Sequence, residues 1–279
     1  MGVIEAIGFV AFGLFVGAYG TLVGAGGGFL VVPMLLLVYG ATPQFAVGTS
    51  LTVVFLNAVS GTISYARQKR IDYQTGVRFA IATLPGAAIG AYLSSYLTSG
   101  FFNLVFGLLL IATAVFLFVR PEARSAPTGG QPTDLTLLPK GMTRRTIIDA
   151  HGDVLVYTFN ERAGLALSFV VGFLSSILGI GGGIIHVPAM VHLFGFPAHI
   201  ATATSHFILA ISAGTGTGFH LALDHVKYPP AILLGMGVVF GAQVGAAISQ
   251  RVHGRWLIRL LSIALIIVGV RLLLSARLG

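Results

Sequence analysis

Gly24-Ala25-Gly26-Gly27-Gly28, followed by Phe29-Leu30-Val31-Val32-Pro33, lies inside an apolar run from Val3 to Tyr39 whose only charge is Glu5. Each glycine costs a helix interior about 1 kcal/mol relative to alanine. In hydrocarbon the cost has an added edge, because loosened backbone N–H and C=O groups find no water there. The chain repeats the device at Gly179-Ile180-Gly181-Gly182-Gly183, followed by Ile184-Ile185-His186-Val187-Pro188. A helix break placed twice in the same setting marks a functional centre rather than an accident of composition.

The surroundings are those of a membrane protein. Of 279 residues, 56% are hydrophobic and 9% charged, and mean hydropathy is +0.94. A soluble domain carries about 25% charged residues. There is no cysteine, so disulfides, thiolate metal sites and cysteine nucleophiles are excluded. The formal charge of +8 does not point to nucleic acid, because the basic residues sit between apolar segments, where topology signals sit. Met1 to Glu5 offers no basic n-region, so the first apolar stretch reads as a membrane helix rather than a cleaved signal peptide. The partner implied is a lipid bilayer, with the chain a multi-pass protein of the cytoplasmic (inner) membrane.

About 20 apolar residues cross a bilayer. On that measure the spans are Phe45–Tyr65, Val77–Leu97, Phe101–Val119, Ile200–Leu223, Ala231–Gln250 and Trp256–Leu274. Val3–Tyr39 and Ala163–Phe194 are too long for one ordinary span and are cut by the glycines. Residues 120–161 form a polar loop with Pro121, Pro127, Pro132 and Pro139. Within it, Thr146–Asp149 and Val154–Phe159 flank a turn and read equally as a small β-hairpin or as a plain linker.

The second half repeats the first at an offset of 155 residues: Gly24 falls on Gly179, Pro33 on Pro188, Thr49-Ser50 on Thr204-Ser205, Tyr73 on Tyr228, and Gly86 on Gly241. Internal repeats of this kind characterise secondary transporters. The division is repeat 1 over 1–119, the polar cytoplasmic loop over 120–161, and repeat 2 over 162–279.

Repeat orientation depends on how often Val3–Tyr39 crosses. If it enters and returns, each repeat has odd parity and the second is inverted; basic residues outside are then Lys227, Arg271 and Arg277. If it crosses once the repeats are parallel, and Arg251, Arg255 and Arg259 are outside. The positive-inside rule ties. Length favours the hairpin: Val3–Val23 makes about 30 Å of helix and Phe29–Tyr39 about 16 Å, half a membrane. The expected fold is an all-α polytopic membrane protein of two inverted repeats, each a Gly-broken helical hairpin plus three transmembrane helices.

All eight acidic residues lie in loops or near segment ends, and no basic residue sits mid-span. A site without a side-chain countercharge can hold an ion with backbone dipoles. A half-helix starting after Gly26-Gly27-Gly28 presents free N–H groups and about half a positive charge, and glycine lets a ligand approach that backbone closely. A matching start at Gly181-Gly182-Gly183 completes a site for a small anion. Neither run is followed by Lys-Ser/Thr, so a nucleotide-phosphate loop is a poor alternative. Gly13, Gly17, Gly86, Gly90, Gly107, Gly235, Gly237, Gly241 and Gly245 read as helix-packing positions.

Intramembrane polar groups form the next layer. The Thr49-Ser50 and Thr204-Ser205 hydroxyls can donate to an anion's oxygens or bond their own helix carbonyls. Asn57 matches Ser212 and Gln243 matches Ala88; both amides are costly in lipid and belong to the bundle interior. Histidine marks the difference between the halves: His186 replaces Val31, His206 replaces Leu51, and His220 replaces Tyr65. His206, beside Thr204-Ser205, is the candidate to carry a proton alongside the anion. His186, His192 and His220 read as structural, His199 and His253 as interfacial. No histidine pairs at i, i+4 with a carboxylate nearby, which argues against a metal, and no cofactor is expected. An intramembrane enzyme lacks a nucleophile–base pair. An anion channel on the same site is the alternative to a carrier, and a homodimer is compatible with either.

The doubled motifs GAGGGFLVVP and GIGGGIIHVP, the Thr-Ser pairs after them and the central polar loop resemble the TauE/SafE family over residues 5–119 and 161–274. The resemblance implies a secondary transporter of small sulfur-containing anions such as sulfite or organosulfonates. The substrate-binding residues expected are Gly26, Gly27, Gly28, Thr49, Ser50, Asn57, Gly181, Gly182, Gly183, Thr204, Ser205, His206 and Gln243.

Overall fold

The computed structural model describes residues 2–119, 141–150, 152–249, 251–252 and 254–278. Residues 120–140, most of the proline-bearing part of the polar loop, lie outside them. The elements are α1 (Val3–Val23), α2 (Gly28–Leu37), α3 (Pro43–Arg67), α4 (Tyr73–Ser94), α5 (Ser99–Val119), β1 (Met142–Ile148), β2 (Val154–Asn160), α6 (Glu161–Leu178), α7 (Gly183–His192), α8 (Ala198–Ala222), α9 (Tyr228–Ser249) and α10 (Gly254–Leu278). Among the described residues, six helices, α1, α3, α4, α5, α6 and α9, contain stretches long and apolar enough to cross a membrane. The chain is an all-α polytopic membrane protein with one two-stranded hairpin attached. Helix α8 equals α3 in length, 25 residues each; its Thr, Ser, His and Gly content goes with a largely buried, central place.

Both glycine runs end one helix and begin another. Gly24 and Gly179 close α1 and α6 in the left-handed conformation, the usual glycine stop. The chain then turns back. Tyr19 of α1 lies against Phe29 of α2, with ring centroids 6.4 Å apart, and Tyr39, past the end of α2, reaches Phe9 near the start of α1 at 5.7 Å. Likewise His186 of α7 returns to Ser168 of α6 at 3.2 Å. Each long apolar segment is therefore a full helix and a returning half-helix of 10 residues.

Contact registers give the other directions. Gly13 meets Leu234 and Gly17 meets Val238, so α1 and α9 run parallel. The pairs Ser60–Val239, Ser64–Gln243 and Gln68–Ala246 make α3 and α9 parallel too. At matching places in the other half, Gly172 meets Thr83, and Gly86 and Gly90 meet Phe169 and Phe173, so α4 and α6 are parallel. The matching helices α3 and α8 run antiparallel, with Leu51 at Gly216, Phe55 at Gly214 and Gly61 at His206. In the α1–α9 and α4–α6 seams a methyl group on most of these glycines would strike a backbone carbonyl, which is how small residues let membrane helices approach closely.

Strands β1 and β2 pair antiparallel, Met142 opposite Asn160 through Ile148 opposite Val154. Tyr157 and Phe159 are buried, with Tyr157 4.2 Å and Phe159 5.0 Å from the Phe196 ring. The hairpin is tied to the α3–α4 connection by Ala150 N–H donating to Gln68 O at 3.1 Å and by the Arg70–Asp149 pair at 3.5 Å.

Candidate functional site

The six glycines at the turns have φ of 76°, 75° and 84° (Gly24, Gly26, Gly27) and 72°, 78° and 76° (Gly179, Gly181, Gly182). L side chains are strained there. Gly28 and Gly183, the first residues of α2 and α7, are required for another reason. A methyl group on Gly28 would lie 2.5 Å from the Gly179 carbonyl oxygen, and one on Gly183 would collide with that of Gly24. The two breaks thus abut, each half-helix start set against the end of the other half's long helix. Gly26 and Gly181 both face Val54 and Leu209, residues that match at the 155 offset.

The Thr-Ser pairs bind the protein to itself. Ser50 Oγ donates to Gly179 O at 2.8 Å, and Ser205 Oγ donates to Gly24 O at 3.1 Å. Thr49 Oγ1 accepts from Lys227 N–H and Thr204 Oγ1 from Asp72 N–H, both at 3.0 Å. All four side chains are buried. In this conformation their hydroxyls hold the breaks and the following connections in place, where the sequence suggested donors for a ligand or bonds within their own helix.

Asn57 lies at the first break: its Nδ2 donates to Gly26 O at 3.0 Å, and its Oδ1 accepts from Thr21 Oγ1 at 3.1 Å. His206 Nε2 is 3.1 Å from the same Thr21 hydroxyl. Its ring lies edge-on to Tyr65, whose hydroxyl donates to Thr21 O at 2.7 Å. Gln243 is placed elsewhere, between α3 and α9, bonded to Ser60 and Ser64 farther along α3 than Asn57. His186 pairs with Ser168, and His220 Nε2 is 3.2 Å from Ser176 O. Among the described residues no three His, Asp or Glu side chains gather as a metal site.

Three residues stand out that sequence reasoning passed over. Thr21, three residues before Gly24, joins Asn57 and His206. Thr202, whose backbone abuts Gly24, carries a buried hydroxyl without a hydrogen-bond partner. Ser176, the counterpart of Thr21, carries another. The matched hydroxyls of Thr21 and Ser176 were a usable signal. Thr202 matches Val47 and offered none.

Four helix ends meet here, two positive and two negative in dipole. Three carbonyls at the ends are answered here: Gly24 O and Gly179 O by the serines, and Gly20 O by the N–H groups of Ala25 and Gly26 at 2.9 and 3.1 Å. The starts of α2 and α7 have glycine N-caps and no side-chain cap. The side chains nearest the break glycines are Val, Leu, Thr and Ser, none of them charged. What the arrangement offers in excess is backbone N–H, the group that binds anions at helix starts.

Paired helix breaks buried in a polytopic helical bundle are a membrane transporter's architecture. The profile of the sulfite exporter TauE/SafE family matches residues 9–272, and the chain belongs to that family. It is 37% identical to a probable membrane transporter protein, YunE, of Bacillus subtilis, over 95% of this chain and 96% of the relative. A probable membrane transporter protein of Methanocaldococcus jannaschii, MJ0441, is 27% identical over 94% and 93%. A second from Bacillus subtilis, YjnA, is 27% identical over 96% and 100%. No solved structure matches the chain.

Proposed function

We propose that this protein is a secondary transporter of a small sulfur-containing oxyanion, sulfite or an organosulfonate, across the cytoplasmic membrane. The anion is held by the N–H groups at the starts of α2 and α7. One observation carries the reading: the carbonyls of Gly24 and Gly179 at the paired breaks are bonded by serine hydroxyls of the protein, while the two helix starts have no side-chain cap. Thr202 and Ser176, each with a free buried hydroxyl, are the added donors of first choice. The family's printed description, sulfite exporter, supports the substrate class.

The two halves act as inverted repeats in this reading, which the antiparallel run of α3 and α8 supports. Alternating access then consists of the halves rocking about Val54 and Leu209, which both face Gly26 and Gly181, with the breaks opened to one side at a time. The test is uptake into proteoliposomes with a panel of sulfite, sulfate, thiosulfate and methanesulfonate. Saturable accumulation of sulfite or the sulfonate is expected. Flux far above roughly 10³ ions per second, the upper range of ordinary turnover numbers, without movement against a gradient would make it a channel. Movement of none of the four would overturn the substrate class.

A further inference from the structure

The hydrogen bonds that end at Gly26 fix where their protons sit. Asn57 Nδ2 donates to the Gly26 carbonyl; the opposite amide flip would set two oxygens against each other. Asn57 Oδ1 therefore faces Thr21, and an amide oxygen only accepts. Thr21 spends its one hydrogen on Asn57, so its oxygen must accept from His206 Nε2. His206 is thus the Nε2–H tautomer, and its bare Nδ1 is buried without a partner. The ring is locked in place, since even a methyl group on Gly61 would lie 2.6 Å from its Cδ2.

The groups around His206 leave that nitrogen as the proton acceptor. From α1 comes Thr21. From α3 come Asn57, Gly61 and Tyr65, whose phenol hydrogen is spent on Thr21 O. Asp72, the N-cap residue of α4, reaches α8 through its backbone N–H on Thr204, while its carboxylate is held by Tyr157, Thr75 and Arg145. Helix α9, Tyr228–Ser249, carries no charged residue. On α6 and α7 the histidine is His186, paired with Ser168. The other half has no such chain, because Leu51 and Ser212 stand at the places of His206 and Asn57.

We propose that His206 Nδ1 is the proton-binding atom that couples proton movement to the anion, with Thr21 and Asn57 as positioning residues; this rests on the anion reading of the breaks. A hydronium ion gives up one O–H bond and leaves as water, its proton adds to the Nδ1 lone pair, and the neutral imidazole becomes an imidazolium. Its charge is carried toward Gly26 by a polarised chain of three hydrogen bonds. A negative ion at the break and the proton on His206 then favour each other. By linkage each raises the other's affinity equally. Proton and anion therefore move together in the same direction.

The first test needs no transport. In nanodiscs, ¹⁵N NMR of labelled histidine is expected to show His206 with a bare Nδ1 and a protonated Nε2. Thr21→Val is expected to mix the tautomers and Thr21→Ser to restore one. A wild-type Nδ1–H tautomer would overturn the proposal. The second test is sulfite uptake with and without an inward proton gradient at zero membrane potential. The gradient is expected to raise wild-type uptake about tenfold, within the usual range of coupling, and His206→Gln to bring that ratio to one. A ratio that His206→Gln leaves unchanged overturns the coupling alone. Absence of sulfite uptake by the wild type, with or without the gradient, overturns the transporter reading and the coupling with it.

Discussion

The hydroxyl of Ser50 in α3 donates to the carbonyl of Gly179, the residue that ends α6, at 2.8 Å. Ser205 does the same for Gly24 from the other half at 3.1 Å. Each half thus closes the open helix end of the other, and neither break is complete within its own half of the chain. Removing one hydroxyl leaves a buried carbonyl short of a donor, a cost of about 1–3 kcal/mol. Ser50→Ala is expected to lower the unfolding temperature in detergent, and Ser50→Ala with Ser205→Ala to lower it further. Melting curves of the purified variants check this.

Gly28 and Gly183 have ordinary helical places but no room for a side chain. Gly28→Ala and Gly183→Ala push a methyl group into the opposing backbone, and overpacking of that kind costs about 1–3 kcal/mol. Gly218, in α8, has open space where a methyl group would go. Gly218→Ala is expected to be neutral or to stabilise by about 0.4–1 kcal/mol. Membrane abundance and thermal stability of the three variants should separate in that order.

Thr202 and Thr204 lie two residues apart and predict opposite results. Thr204 Oγ1 accepts the Asp72 N–H, so Thr204→Val leaves a buried donor unanswered and destabilises. The Thr202 hydroxyl has no partner, so Thr202→Val is expected to be neutral or stabilising for folding. If that hydroxyl meets the anion, the same change raises the KM for sulfite about 2- to 10-fold, the worth of one hydrogen bond. Stability and uptake kinetics on the same preparation decide it.

The β-hairpin gives a pH-dependent prediction. Tyr157 donates to Asp72 Oδ2 at 2.7 Å. Its pKa is raised well above the ordinary phenol value, first by burial and then by the Asp72 carboxylate. The unfolded phenol ionises near pH 10. The stability it contributes is therefore whole below that pH and is lost progressively as pH rises from there toward the higher folded value. Tyr157→Phe is expected to destabilise the protein at neutral pH and to flatten the fall in stability above pH 10. Denaturation followed from pH 8 to pH 11 tests the sign.

Much of this architecture is legible in the residues, and the rest fails for identifiable reasons. Apolar length and the 155-residue offset mark the helices, and the half-membrane length of Phe29–Tyr39 marks the returning half-helix. The hydroxyls of Thr49, Ser50, Thr204 and Ser205 are legible as a matched set. Their partners are not, because a repeat shows which residues correspond and not which half's hydroxyl serves which half's carbonyl. Thr21 alone is an ordinary threonine in an apolar helix and stands out only beside its counterpart Ser176. Asp72 is hidden because its counterpart is Lys227, of opposite charge, and both reach the matched threonines through backbone N–H groups. Gln243 looked like part of the site because an amide in an apolar helix needs partners; it finds them in Ser60 and Ser64.

The central claim is that the two glycine breaks jointly hold the transported anion, and radiolabelled sulfite flux into proteoliposomes tests it most directly. The wild type is compared with Gly27→Leu and Gly182→Leu, each reconstituted at equal protein. The account predicts saturable uptake by the wild type and background uptake by both variants, with either substitution sufficient alone. Wild-type rates in either variant would contradict it.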